Sequence, residues 1–137
     1  MSLNINVMFD GNCREAVTFY AKVFGQETPH FITYGESDTS FDPNVQVSDK
    51  GRELIMSTSL DIAGSIVTFN DMPDNFEFIR GNSFGIIVSY DNADEAKTIF
   101  DRLGKKGQVF VPFAEIPGQG KYGMLADQYN IMWTVKA

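Results

Sequence analysis

Residues 10–20 read DGNCREAVTFY and residues 90–100 read YDNADEAKTIF, so one pattern occurs twice in a chain of 137 residues. Aligned without a gap at an offset of 80, the stretches 7–20 and 87–100 share Asn, Glu, Ala and Thr at four positions. Chance would give about one identity. The repetition predicts that the chain contains two copies of one structural unit.

Short apolar segments predict four strands in each copy. Their boundaries follow the β-branched and aromatic residues and the turn residues between them. The strands are predicted at 4–9, 27–34, 53–60 and 65–70 in the first copy, and at 84–90, 108–114, 122–127 and 131–135 in the second. Segments rich in Gly, Pro, Asp, Asn or Ser are predicted loops: 35–51, 71–82 and 115–121.

One helix is predicted behind the first strand of each copy. Asn12 followed by Glu15, and Asn92 followed by Glu95, match the capping box that starts a helix. Apolar residues then recur at i, i+3, i+4 and i+7 in both copies. Glycines are predicted to end the two helices: Gly25 and Gly104. Each copy therefore reads β-α-β-β-β.

The chain is predicted to be a single domain made of two modules, 1–72 and 82–137, joined by a linker at 73–81. One helix can cover only one face of a sheet, yet both faces carry apolar residues, such as Val67 beside Ile66. The second face must therefore be covered, either by the other module around a partly apolar cavity or by a second subunit.

Composition excludes several classes of function. A formal net charge of −7, from 18 acidic and 11 basic side chains, disfavours a nucleic-acid partner. The single cysteine, Cys13, cannot form an intramolecular disulfide, and no apolar run is long enough to span a membrane. We expect a soluble, cytoplasmic protein.

Two stretches carry a resemblance to a known superfamily. DGNCREAVTFYAKVFG (10–25) and YGMLADQYNIMW (122–133), with the paired β-α-β-β-β pattern, resemble the vicinal oxygen chelate superfamily of glyoxalases, bleomycin resistance proteins and dioxygenases. Within it the chain is most similar to the PhnB-like branch. The resemblance covers nearly the whole chain. It implies an α+β fold in which two βαβββ modules in tandem form a curved mixed sheet that encloses a cavity, and it implies a homodimer.

The metal ligands of the superfamily are not matched here. Its metalloenzymes resemble one another in placing His, Gln or Glu on inward-facing strand positions. This chain has one histidine, His30, and it carries Ser57, Thr58 and Thr134 where ligands are expected, with Asn4 and Asn6 as polar candidates in the first strand. Such neutral oxygens are weak ligands. The resemblance therefore implies a lost metal site, and we expect neither metal ligands nor a cofactor.

The cavity implied by the resemblance suggests a set of ligand-binding residues. Polar or adaptable side chains are assigned to it first, and then large aromatic residues of the last strand of each module, for which core packing is the alternative. The predicted set is Tyr34, Ser57, Phe69, Tyr122, Met124 and Trp133.

Three further residues have both a chemical and a structural interpretation. His30 is either a ligand or general base, or a surface residue. Cys13 opens a helix, where a thiol can become nucleophilic, but no basic partner is identifiable and packing is favoured. Asp127 is predicted to lead the tight turn into the last strand.

The sequence thus predicts a PhnB-like protein that binds a small molecule in the cavity between its modules, without an assigned catalytic residue. One alternative is a metal-dependent lyase or dioxygenase with relocated ligands, for example His30 with Glu53 or Glu115. Another is a resistance protein that sequesters a basic antibiotic.

Overall fold

The computed structural model describes residues 1–37 and 42–137, and the chain divides into two compact units, Met1–Ile79 and Arg80–Ala137. Each unit contains a strand, a helix and three further strands. In the first unit these are β1 (Ile5–Phe9), α1 (Cys13–Val23), β2 (Ile32–Thr33), β3 (Ile55–Ile62) and β4 (Ser65–Asp71), with a 3-10 turn at Lys50–Glu53 before β3. In the second they are β5 (Ile86–Ser89), α2 (Ala93–Gly104), β6 (Gln108–Ile116), β7 (Gly120–Ala126) and β8 (Met132–Lys136).

Each unit forms a mixed sheet of four strands. The strand orders are β1-β4-β3-β2 and β5-β8-β7-β6, so equivalent strands occupy equivalent places. β1 is parallel to β4 and β5 is parallel to β8, whereas the other neighbours are antiparallel. The predicted fold class, α+β with two βαβββ modules in tandem, is confirmed.

Helix α1 covers one face of the first sheet. It buries Ala16, Val17 and Tyr20 completely, and the Tyr20 ring stacks on Phe69 of β4 at 5.9 Å between centroids. Phe9 of β1 also stacks on Phe69, at 6.4 Å between centroids, and its ring lies 6.5 Å from that of Tyr20, so the three rings form one cluster. Because strand side chains alternate between faces, the neighbours of Phe9 and Phe69 project from the opposite face, which we call the open face.

Helix α2 covers the second sheet in the same way. Ile99, Phe100 and Leu103 are buried, and Trp133 of β8 is only 1% exposed. The Phe100 ring contacts Phe113 of β6 with centroids 5.7 Å apart. The apolar stripe that repeats in the sequence therefore packs against a sheet in both units.

Seven of the eight predicted strands lie within two residues of their predicted ends, but the second strand does not. It was expected over 27–34 and comprises only Ile32–Thr33. Pro29 has no amide hydrogen to donate to a neighbouring strand. Phe31 turns into the core instead, with the Arg14 guanidinium 4.7 Å above its ring.

The two helices begin in different ways, which corrects the prediction of two equal capping boxes. In α2 the Asn92 side chain accepts hydrogen bonds from the amides of Asp94 and Glu95, at 2.9 and 3.0 Å. In α1 the Asn12 side chain accepts none. The Cys13 amide donates to the carboxylate of Asp71 instead, at 3.0 Å.

The helix ends also differ. Helix α1 stops as predicted, because Gly25 adopts a positive φ of 67° and the amide of Gln26 donates to the carbonyl of Ala21 at 2.8 Å. Gly104, by contrast, is the last residue of α2 rather than its stop signal. The left-handed residue after α2 is Lys106, with φ of 63°.

Candidate functional site

A cavity of about 440 Å³ opens on the first unit. Met8 and Asn70 are register partners on the open face of β1 and β4, and they contribute to its wall. The remaining wall comes from the start of β3 and from the segments that flank the sheet. The lining residues are Met8, Tyr34, Asp42, Val45, Met56, Asn70, Met72, Pro73 and Phe76.

Most of this wall is apolar and adaptable. Three methionine thioethers, from Met8, Met56 and Met72, line the cavity together with the rings of Tyr34 and Phe76. Methionine side chains rotate freely and polarise easily, so they fit ligands of irregular shape. The volume falls in the range of small-molecule sites, about 300–1,000 Å³.

A chain of hydrogen bonds fixes the polar part of the wall. The Thr68 hydroxyl donates to Asn6 Oδ1, and Asn6 Nδ2 donates to Asn70 Oδ1, each at 2.8 Å. Asn70 Nδ2 and the Tyr34 hydroxyl both donate to the main-chain oxygen of Asp71, at 2.9 and 2.8 Å. The orientations of the Asn70 amide and the Tyr34 ring are therefore set by the protein.

The Tyr34 phenol stays protonated near neutral pH. Burial raises its pKa above the ordinary value of 10.0, and the negative charge of Asp71 acts in the same direction. The hydrogen bond with Asn70 lowers the pKa but does not cancel the effect of burial. Tyr34 is accordingly a neutral aromatic wall of the cavity.

The side chain of Asp71 is buried beneath the cavity and joins three segments. Its Oδ1 accepts from the amides of Gly11 and Cys13 at 3.0 Å each, and its Oδ2 accepts from the amide of Ile55 at 2.8 Å. Burial raises the pKa of this carboxyl, and the three amide hydrogen bonds act in the opposite direction. Because Ile55 precedes Met56 of the wall, Asp71 is a positioning residue for the cavity.

Asp42 brings a carboxylate to the cavity. Its Oδ1 accepts from the amide of Asn44 at 2.9 Å, and its main-chain oxygen accepts from the amide of Val45 at 3.1 Å. This small turn places Asp42 and Val45 side by side in the wall. Asp42 is half-buried, so its carboxylate remains partly hydrated.

The predicted ligand residues of the first unit lie in three different environments. Tyr34 lines the cavity of the first unit. Ser57 is exposed in β3 beside Met56 and does not line this cavity. Phe69 packs against Phe9 and Tyr20 on the helix-covered face.

The other three predicted residues belong to the second unit. Tyr122 and Met124 are half-buried in β7. Trp133 is buried in β8, where its indole Nε1 donates to Asp127 Oδ2 at 2.8 Å. Asp127 also accepts from the amides of Tyr129 and Ile131, which is the predicted role in the turn. Ligand binding by these three residues stays a prediction, as does a site shared by the modules.

The sequence prediction missed most of the cavity wall. The signal available in the sequence was alternation: Met8 precedes Phe9 and Asn70 follows Phe69, so each lies opposite a core aromatic residue. Met72, Pro73 and Phe76 fall in a segment interpreted only as a loop and linker.

The donors on the open face suit a divalent metal poorly. Asn6, Thr68 and Asn70 are neutral and bond to one another. Thr58 lies opposite Phe69 on the helix-covered face, where its buried hydroxyl donates to the main-chain oxygen of His30. Within residues 1–37 and 42–137, no group of three or more His, Cys, Asp or Glu side chains could hold a metal ion. Of the relocated set suggested from the sequence, His30 and Glu53 are exposed residues of the first unit, and Glu115 belongs to the second unit.

Cys13 is expected to resist thiol reagents in the folded protein. It is completely buried, and burial together with the charge of Asp71 raises its pKa to about 12. Very little of the thiol is then ionised at pH 8, and the thiolate is the reactive species. Ellman's reagent should therefore label Cys13 only as fast as the protein unfolds. Rapid, stoichiometric labelling of the native protein at pH 8 would contradict this assignment.

Comparison with known proteins defines the class and then the family. The fold matches that of a glyoxalase/bleomycin resistance protein/dioxygenase family enzyme from Burkholderia phytofirmans, with a TM-score of 0.58 at 14% identity over 96% of this chain and 93% of that one. The protein therefore has the glyoxalase/bleomycin resistance fold. A family model described as 3-demethylubiquinone-9 3-methyltransferase matches residues 2–136, and the chain belongs to this PhnB-like family.

Three relatives are similar over nearly their whole length. Protein YjdN of Escherichia coli is 25% identical, covering 98% of this chain and 94% of YjdN. The structure of protein PA1353 from Pseudomonas aeruginosa has a TM-score of 0.82 at 25% identity, over 98% of this chain and 97% of that one. A putative 3-demethylubiquinone-9 3-methyltransferase, PhnB protein, from Bacillus cereus has a TM-score of 0.73 at 21% identity, over 99% and 98%.

Neither α1 nor α2 is a candidate membrane span. In the part of the chain that the structure describes, no helix combines the necessary length with sufficient apolar character. The prediction of a cytoplasmic location is not tested by this finding and stays a prediction.

Proposed function

We propose that the protein binds a small organic molecule with a largely apolar body in the cavity of its first unit. The observation that carries this proposal is the cavity itself: about 440 Å³, walled by three methionines and two aromatic rings. Its neutral polar groups, the Asn70 amide and the Tyr34 hydroxyl, are already hydrogen-bonded within the protein. Such a site gains binding energy mainly from burying apolar ligand surface.

We propose binding and assign no reaction, because the groups that line the cavity are chemically unreactive. Thioethers, aromatic rings and an amide are not activated nucleophiles, and Asp42, the carboxylate among the described lining residues, is half-buried at a turn. The thiol of Cys13 belongs to the helix-covered core and is protonated.

Filling the cavity is the direct test. In Met56→Trp the indole should occupy part of the cavity, and we expect the dissociation constant for Nile red, a neutral apolar dye, to rise at least about tenfold. Fluorescence titration measures the affinity, and thermal unfolding checks that the variant is folded. Ser65→Trp is the control, because Ser65 is exposed at the far end of β4 from Asn70. Equal dye affinity in Met56→Trp and wild type would refute the proposed site.

We propose also that the metal site of the superfamily is lost in this chain. The neutral side chains of Asn6, Thr68 and Asn70 support this, since they are hydrogen-bonded to one another and neutral oxygens are weak ligands for a divalent ion. Elemental analysis of protein purified without chelators should find less than about 0.1 divalent ion per chain. A stoichiometric ion would favour the alternative of a metal-dependent lyase or dioxygenase.

A homodimer is the third part of the proposal. It is supported by large apolar side chains exposed in the central or edge strands of both sheets, with Ile66 58% and Ile87 65% exposed. Burying such residues against a second copy stabilises an interface. Light scattering coupled to size-exclusion chromatography should give twice the monomer mass of 15.3 kDa. A monomeric mass at micromolar concentration would contradict this part.

A further inference from the structure

The acidic character of the protein is confined to the half that contains the cavity. In the sequence, residues 1–79 hold 12 acidic and 4 basic side chains, a formal charge of −8, whereas residues 80–137 hold 6 and 7, a formal charge of +1. The two values add to the −7 of the chain. Solubility alone does not require the negative charge to be concentrated in one half of the chain. A negative electrostatic field around a cavity raises the local concentration of cations near its mouth.

One acidic group of this half is part of the cavity wall. Asp42 is the charged residue among the described lining residues. Its Oδ1 accepts one amide hydrogen bond from Asn44, and the carboxylate forms no ion pair with any residue in 1–37 or 42–137. A half-buried carboxylate without a cation gains from a positively charged partner, because partial burial weakens its hydration.

The other polar groups of the wall are neutral and already hydrogen-bonded within the protein. The Asn70 amide accepts from Asn6 and donates to the main chain of Asp71, where the Tyr34 hydroxyl also donates. Asp42 is the lining group that offers a charged acceptor, and hydrogen bonds to a charged acceptor are stronger than those between neutral groups. A cationic group of a bound molecule is therefore best placed at Asp42.

We propose that the ligand is an organic monocation, an ammonium group carried on an apolar body, with its charge at Asp42 and its body against Met8, Met56 and Met72. This inference rests on the proposed function and specifies its ligand class. The rings of Tyr34 and Phe76 line the same cavity and can present their negative faces to the cation. An anionic ligand is disfavoured by the carboxylate and by the charge of the whole unit.

A matched set of probes tests the charge separately from the apolar body. The probes are 4-phenylbutylammonium, the neutral 4-phenylbutan-1-ol and the anionic 4-phenylbutyrate, titrated by calorimetry into the full-length protein in low salt. We expect the ammonium to bind about five- to tenfold more tightly than the alcohol, and the carboxylate to bind weakest. Raising the salt concentration to 0.5 M should shrink the advantage of the ammonium, since salt screens partly exposed charges.

Two charge-neutralising variants separate contact at Asp42 from the general field. Asp42→Asn should remove the preference for the ammonium over the alcohol. Asp49→Asn removes the same unit of charge from an exposed residue that does not line the cavity, and it should keep the preference. An equal loss of preference in both variants would place the effect in the general field and overturn the assignment to Asp42.

The outcomes distinguish this inference from the function on which it depends. If Nile red binds but the ammonium binds no more tightly than the alcohol, the cavity is a ligand site and the cationic class is wrong. If Nile red and all three probes fail to bind at millimolar concentration, the proposed function itself is refuted. A preference for 4-phenylbutyrate would also overturn the inference.

Discussion

Asp71→Asn is expected to lower the free energy of unfolding by about 3 kcal/mol, because the change leaves buried amide groups without an acceptor. The two carboxylate oxygens of Asp71 accept from three main-chain amides, those of Gly11, Cys13 and Ile55. An asparagine side chain has one oxygen and one NH₂ group. In either orientation, at least one amide faces another hydrogen-bond donor.

The loss should spread beyond Asp71 itself. Gly11 and Cys13 form the junction between β1 and α1, and Ile55 begins β3, so the carboxylate is shared by a helix start and two strands. Urea denaturation followed by circular dichroism measures the change in stability. Asp49→Asn is the control, since Asp49 is exposed and its side chain caps no helix, and it should change stability by less than about 0.5 kcal/mol. If Asp71→Asn proved as harmless as this control, the proposed role of the carboxylate would be wrong.

Gly107→Ala is expected to destabilise the second unit by about 2–3 kcal/mol, although Gly107 is exposed. A Cβ atom on this residue would overlap the main-chain oxygen of Ala126 and would lie 3.0 Å from the Cα of Asp127. These are backbone atoms held by strand pairing, since Ala126 is the register partner of Gln108. They cannot move aside as the end of a flexible side chain could.

The matched control for this prediction is Gly81→Ala. Gly81 has no atom within 4 Å of its added Cβ and no positive φ, so its substitution should change stability by less than about 0.5 kcal/mol. Thermal and urea unfolding of both variants measure the difference. Equal stability of Gly107→Ala and Gly81→Ala would show that β6 can shift relative to β7 at no appreciable cost.

The order of elements could be predicted from the sequence because it depends on local patterns. Alternation along the strands and the 3.6-residue period of the helices are visible within a window of ten residues. The cap at Asn92 is equally local, since its side chain reaches amides only two and three residues ahead. The short length of β2 was not predicted, because strand length also depends on the tertiary packing of the segment. In this segment Phe31 packs beneath the guanidinium of Arg14.

The candidate site was less predictable because a cavity wall is assembled from distant parts of the chain. Tyr34 lines the cavity together with Met8, Met56 and Met72, which have no shared motif. Phe69 lies one residue from Asn70 and yet on the other face of the sheet. A sequence shows which residues alternate, whereas the position of the helix decides which face is covered.

By itself, the sequence determined that the chain holds two βαβββ modules, because duplication and periodicity are properties of neighbouring residues. Only the tertiary structure decided how the first helix begins. Asn12 occupies the same place in its repeat as Asn92, but the Cys13 amide is satisfied by Asp71, 58 residues further along the chain. A buried carboxylate can accept several amides at once, so tertiary contact replaces the local cap wherever the fold brings such a group to a helix start.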